Sequence, residues 1–257
     1  MKTIIRLIGL CVVLLCSLVS MAAYAQLCTA EKWITYKGVS VRKFPGSTAY
    51  FYVAERIAID ADGAPNAYHP NNTGIDALKN AGYPDGSWKS ILVTDPQDSS
   101  RPFKQIEGEF AGYFVSMTTL KDKTRAVTDP ARYVNAASVP YMVFPSTFWK
   151  IKGTGNFGDF AIAKSINNNI TSSAIIADAA GDKPLGEVSI KLAENFSGQP
   201  VNPRSGTGAP SGKFVYVVFP GSSAAPAWPV SNQDISARAG AMLDLLGGWD
   251  RVLACVN

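Results

Sequence analysis

Short runs of β-branched and aromatic residues, each closed by Gly, Pro, Asn or Asp, set the strongest limit on this fold. TAYFYVAERIAID (48–60), AGYFVSMTTL (111–120), VPYMVF (139–144), DFAIAKSI (159–166), SAIIAD (173–178) and KFVYVVFPG (213–221) all read as strands. Helical periodicity is sparse. GIDALKNAG (74–82) is a short helical candidate, and SIKLAENF (189–196) is another, with Ser189 as its cap. DISARAGAMLDLLGG (234–248) is the best helix, starting at Asp234 or Ser236 and stopped by the Gly247-Gly248 pair. SGQPVNPRSGTGAPSG (197–212) reads as a polar surface loop. The chain is therefore mainly β with a few helices, a barrel more than a sandwich.

The first 25 residues have another character. Lys2 and Arg6 precede an apolar stretch from Leu7 to Val19, and Ala23-Tyr24-Ala25 offers a small-x-small cleavage site. That is the pattern of a signal peptide, too short and wrongly flanked to span a membrane. A secreted or periplasmic protein is expected, with residues 26–257 as one domain and no membrane association once the leader is removed. Removing residues 1–25 from 257 leaves 232, and the net charge falls from +4 to +2 because two basic residues and no acids are lost. So small a charge, without a basic run, gives no support to nucleic-acid binding. Cys28 and Cys255 survive cleavage. In an oxidising compartment they are expected to form a disulfide, the alternative being two free thiols.

Several motifs mislead. GTGNFG (153–158) matches a dinucleotide-binding fingerprint in letters, but a strand-like run follows it where a helix is required. IDADG (59–63) hints at a calcium loop, yet the positions that need glycine and glutamate hold Pro65 and Asn71. With His69 the only histidine, neither a serine triad nor a zinc site has the residues it needs. Carboxylates remain. Glycoside hydrolysis runs on two of them, one protonating the departing oxygen and the other activating water or attacking the sugar. In IIADAAGDKPLGEVSI (175–190), Asp178 ends one apolar run and Glu187 opens the next. Strand alternation would put Ala174, Ile176 and Asp178 on one face, and Glu187 on the face opposite Val188. Spacing alone also fits two solvated turn residues.

Beyond these residues, AYFYVAERIAIDADGAPNAYHPNNTGIDALKNAGYP, GYFVSMTTL, YVNAASVPYMVFP, GDFAIAKS, AIIADAAGDKPLGEVSIKLAENF and VYVVFPGS follow one another as blocks. Together they resemble the glycoside hydrolase family 75 chitosanases in their bacterial form, over about residues 49–222. The resemblance implies an inverting hydrolase with Asp178 and Glu187 as the catalytic pair, working without metal or cofactor. Ala179-Ala180-Gly181 departs from the family's usual residues after the aspartate. The same motif looks like the strand–loop–strand of double-psi proteins, which implies a six-stranded double-psi-like β-barrel with peripheral helices. Glu187 serves as general acid and Asp178 as base in one assignment, and the opposite assignment stays open.

Asp60, Asp62, Tyr68, His69 and Asp159 are the candidate substrate-binding residues. A cationic glucosamine polymer needs carboxylates for its ammonium groups and aromatic faces for its rings. An architectural role, as turn or packing residues, is the alternative for each. The expected partner is chitosan or a related amino-sugar polymer, met by a monomer. Two other functions compete with this reading. One is a peptidoglycan-cleaving glycanase or lytic transglycosylase, and the other is a non-catalytic polysaccharide-binding protein.

Overall fold

The computed structural model describes residues 28–256. The proposed signal peptide lies outside the described residues. Nine strands make one mixed sheet. In chain order they are β1 (Glu31–Tyr36), β2 (Val39–Lys43), β3 (Tyr50–Arg56), β4 (Ala58–Asp60), β7 (Tyr141–Pro145), β8 (Phe160–Ser165), β9 (Thr171–Ala180), β10 (Glu187–Ser189) and β11 (Ser211–Val218). Their hydrogen-bonded order is β1-β2-β3-β11-β8-β9-β7-β10-β4. Strands β5 (Thr94–Asp95) and β6 (Asp98–Pro102) form a separate ribbon. Most neighbours in the large sheet are antiparallel, but β7–β9 and β10–β4 run parallel.

Both faces of the sheet are buried, and strand alternation sorts the side chains between two cores. Phe214, Tyr216 and Val218 of β11 enter one core with Ala161, Ala163, Ala174, Ile176, Met142 and Phe144. Val215 and Val217 enter the other with Phe160, Ile162, Ile175, Tyr141 and Val143. The helices close these cores. Helix α1 (Ile190–Ser197) covers the first through Leu192, Ala193 and Phe196, while α2 (Asn232–Leu246) covers the second through Ile235, Ala239 and Leu243. A third helix, α3 (Gly248–Leu253), adds Val252. None of the helices described is long and apolar enough to cross a membrane.

The mainly β class agrees with the sequence, but the six-stranded barrel does not form. The ladders do not close, because β3 already carries β11 on one edge and β2 on the other, leaving no edge for β4. One residue, Ile57, nevertheless separates β3 from β4, although the two stand far apart in the order of strands.

Three local expectations also change. The 111–120 run is not a strand but an irregular segment with bridges at Phe114 and Ser116, since its amides and carbonyls serve Tyr68, Ile91, Val93 and Phe103. The 74–82 candidate tightens to a 3₁₀ turn, Leu78–Ala81, ended by Gly82 in the left-handed region. Ser231, rather than Asp234 or Ser236, caps α2 by accepting the Asp234 amide; Ser189 caps α1 as the sequence indicates.

Cys28 and Cys255 form a disulfide with Cα atoms 4.6 Å apart, joining positions separated by 227 residues. Such a link restricts the unfolded chain and contributes about 2–5 kcal/mol. Replacing both cysteines with serine is expected to lower Tm by roughly 10 °C, measured by calorimetry, at the 2–4 °C per kcal/mol usual for this size.

Candidate active site

The site is assembled around β7. Val143 pairs with Asp178 of β9 on one side and with Glu187 of β10 on the other, so the two acids flank the same residue. Partners in a ladder project to the same face, and two strand spacings put their backbones roughly 10 Å apart. Glu187 pairs in turn with Ala58 of β4, and Ser189 with Asp60. By alternation Asp60 therefore shares the face of Ala58, Glu187, Val143 and Asp178.

Simple alternation would have sent Asp178 the other way. The β7–β9 ladder passes from Met142–Ile176 to Val143–Asp178, leaving Ala177 as an extra residue. This bulge corrects the expectation that Asp178 shares a face with Ala174 and Ile176. Both of those lie in the first core, whereas Ala177 lies in the second with Val143. Bulges commonly re-aim side chains at functional sites. Here the carbonyl of Ala177 accepts the amide of Leu120 at 2.8 Å, drawing the 118–121 segment against the strand.

Thr119 of that segment grips Asp178. Its amide (2.9 Å) and hydroxyl (2.8 Å), with the Ala179 amide (2.7 Å), all donate to Oδ1. Among the described residues, none donates to Oδ2. Burial raises the Asp178 carboxyl to about 6, the Thr119 and Ala179 hydrogen bonds partly oppose the rise, and the charge of Glu187 adds to it. Asp60 and Asp62 are pushed well up too, first by burial and then by neighbouring carboxylates. One oxygen from each of Asp60, Asp62 and Asp178 lies within 4.8 Å of the others. Such a set can share a proton, and as hard oxygen donors the three could also hold a divalent cation.

Buried tyrosines complete the frame. The Tyr141 hydroxyl lies 3.0 Å from Asp60 Oδ2, and that of Tyr68 lies 2.9 Å from Asp62 Oδ1 and 3.3 Å from Asp76 Oδ2. The Asp60–Asp62 turn expected from the sequence is present, with the Asp62 amide donating to Asp60 Oδ1 at 2.9 Å. Gly63 follows with φ +77°, so close to the Val134 carbonyl that a side chain could not fit. Glu187 Oε1 accepts the Lys183 ammonium at 3.2 Å, while Oε2 is buried without a partner.

Asp60, Asp62, Tyr68, Thr119, Asp178 and Glu187 line a groove of about 480 Å³. Its walls carry Asp60, Asp62, Asp76, Asp178 and Glu187 against Lys121 and Lys183. Two expected residues lie elsewhere. His69 Nδ1 accepts the Asn71 amide and its ring packs edge-on against Tyr113. Asp159 is fully buried, and its carboxylate accepts the amides of Asn156, Gly221 and Ser223. Thr119, Tyr141 and Asp76 had no sequence signal beyond lying in or beside the blocks, because contacts across distant segments bring them in. GTGNFG leads into strand β8, as its context indicated.

The model of one protein family, described as fungal chitosanase of glycosyl hydrolase group 75, matches residues 57–241. The chain belongs to glycoside hydrolase family 75. No curated protein sequence matches it. The family 75 match spans every carboxylate of the groove, from Asp60 to Glu187.

In this family 75 chain the raised Asp178 carboxyl ties stability to pH. A carboxyl bound more tightly to its proton in the folded state stabilises fully below the ordinary value of 3.8, and that contribution is lost as pH rises through about 6. The gap corresponds to about 3 kcal/mol for this nearly inaccessible group. Asp178→Asn keeps an acceptor for Thr119 and is expected to melt several degrees above the parent at pH 8. The difference should vanish below pH 4 in thermal scans.

Proposed function

We propose that this protein is an exported, endo-acting hydrolase of the β-1,4-glucosamine linkages of chitosan, working by inversion with two carboxyl groups. The observation that carries the reading is the pairing of Asp178 and Glu187 with opposite sides of Val143, on one face with β7 between them. Inverting glycosidases hold their carboxyls about 6.5–9.5 Å apart to leave room for water, and backbones roughly 10 Å apart suit that range. A groove with five acids and two lysines suits a polycation. Its acidity is local, since the whole chain carries +4.

Of the two assignments left open by the sequence, the contacts favour Asp178 as acid. A carboxyl raised to about 6, with Oδ1 fully engaged and no donor at Oδ2, suits a proton carried on Oδ2. That proton passes to the glycosidic oxygen as the C1–O bond breaks. Glu187 Oε2, an acceptor without a partner, takes a proton from the water that attacks C1 from the opposite side. The product is then the α-anomer.

Four measurements test this. Asp178→Asn and Glu187→Gln should each fold yet lose about 10²–10⁴ of the hydrolysis rate, the range usual for a general acid or base. Proton NMR of a glucosamine hexamer digest should show the α-anomer first; a β-anomer would rule out inversion. The kcat/KM for the same soluble hexamer should fall as pH rises through about 6, as Asp178 loses its proton. An alkaline limb that persists unchanged in Asp178→Asn would remove Asp178 from the acid role. Parallel digests of purified murein distinguish the competing glycanase, and anhydro-sugar ends would identify a transglycosylase.

A further inference from the structure

A second groove adjoins the acidic one. Thr119, which holds the Asp178 carboxylate, and Lys121 also line this second groove of about 710 Å³, walled on its far side by Phe157 and the segment Pro226–Pro229. Thr119 and Lys121 thus stand at a boundary that the two grooves share.

The chemistry changes across that boundary. Trp228, Phe157, Pro226 and Pro229 make the second groove largely apolar. Its one carboxylate, Asp122, is already engaged by the amide and hydroxyl of Thr124 and by Arg125. Lys121 and Lys123 belong to none of the ion pairs among the described residues. A protonated amino sugar entering here would meet ammonium groups of its own sign. A neutral sugar with an acetamido group would not, and its ring face and methyl suit an indole and proline rings.

Trp228 is also held in place. Asp159 Oδ2 accepts the Gly221 amide and Oδ1 the Ser223 amide, both at 2.9 Å, and Ser222 Oγ accepts the Phe160 amide at 2.8 Å. A Cβ on Gly158 would meet that of Ala227 at 2.8 Å, so the segment leans directly on a glycine with φ +97°. The buried Asp159 and the last glycine of GTGNFG thus anchor the segment that carries the indole.

We propose that this second groove is a sugar subsite selecting an N-acetylated unit, so that an acetylated residue sits at a fixed distance on one side of the bond cleaved. The proposal rests on the reading of this chain as a chitosan hydrolase and adds which units of a mixed polymer it positions.

The test is to digest partially acetylated and fully deacetylated chitosan and sequence the end-labelled products by tandem mass spectrometry. The expected result is enrichment of acetylated units at one fixed position beside the cut. Trp228→Ala should lower the ratio of kcat/KM on the partially acetylated polymer to that on the deacetylated one about tenfold and flatten the enrichment. Trp228→Phe should restore most of it, and Lys123→Glu should shift the position toward free amino sugars. Should Trp228→Ala fail to fold, as thermal scans would show, the Phe and Lys123→Glu digests carry the test. Random placement of acetyl groups in the parent's products, or enrichment unaltered by all folded variants, overturns the subsite while leaving the hydrolase intact. Cleavage of neither polymer by the parent overturns the hydrolase reading itself.

Discussion

Between Ile176 and Asp178 the ladder that joins β7 to β9 slips by one residue, and the direction of the acidic side chain follows from that slip. A regular β9 would bury Asp178 in the core shared by Ala174 and Ile176, among Phe144, Phe196 and Tyr216. A carboxyl there would have no donors and would oppose folding. The bulge turns it to the face of Val143 instead. It also leaves the Ala177 carbonyl for Leu120, and Thr119 arrives with that contact. One extra residue therefore supplies both the orientation of the acid and the donors that hold it.

Around that carboxyl the chain concentrates like charges and then restrains them with neutral donors. Tyr141 and Tyr68 are buried hydroxyls aimed at Asp60 and Asp62, and Asp76 is satisfied by Tyr68, Asn80 and the Ala77 amide. The outer wall is pinned from a distance, because the Arg204 guanidinium donates to the carbonyls of Asn72, Gly74 and Asp76. Neutral donors stabilise carboxylates without cancelling the field that would attract a cationic sugar. Arginines in those places would have cancelled it.

How much of this could be read in advance follows from the range of each interaction. Short apolar runs marked β3, β8, β9 and β11, because burial on both faces asks for apolar residues at successive positions and not only at alternate ones. The Ser189 cap was legible since it acts within three residues. The 111–120 run was misleading: Phe114, Val115 and Leu120 are buried, but its backbone partners are spread over four separate segments. Closure of the barrel was overestimated because β1 and β2, whose runs are weakly patterned, occupy the edge of β3. Asp178 and Glu187 were expected from the motif, whereas the bulge that brings both beside Val143 on one groove depends on pairing with β7. Asp159 looked like Asp178, an acid at the edge of an apolar run, and only the three amides converging on it reveal a scaffold.

Ile57 gives the architecture a final property. Strands β3 and β4 stand at remote places in the sheet, yet a single residue ties one to the other, and a residue reaches no more than about 3.5 Å when fully stretched. Prising β4 away from β3 would therefore strain covalent bonds before it broke many ladder bonds. The jaw that carries Asp60 is leashed through the chain itself, while the 118–121 and 220–230 stretches are fastened by hydrogen bonds to Asp178, Ala177 and Asp159. The groove therefore keeps its gauge by two kinds of tie, covalent at the floor and polar along the rim.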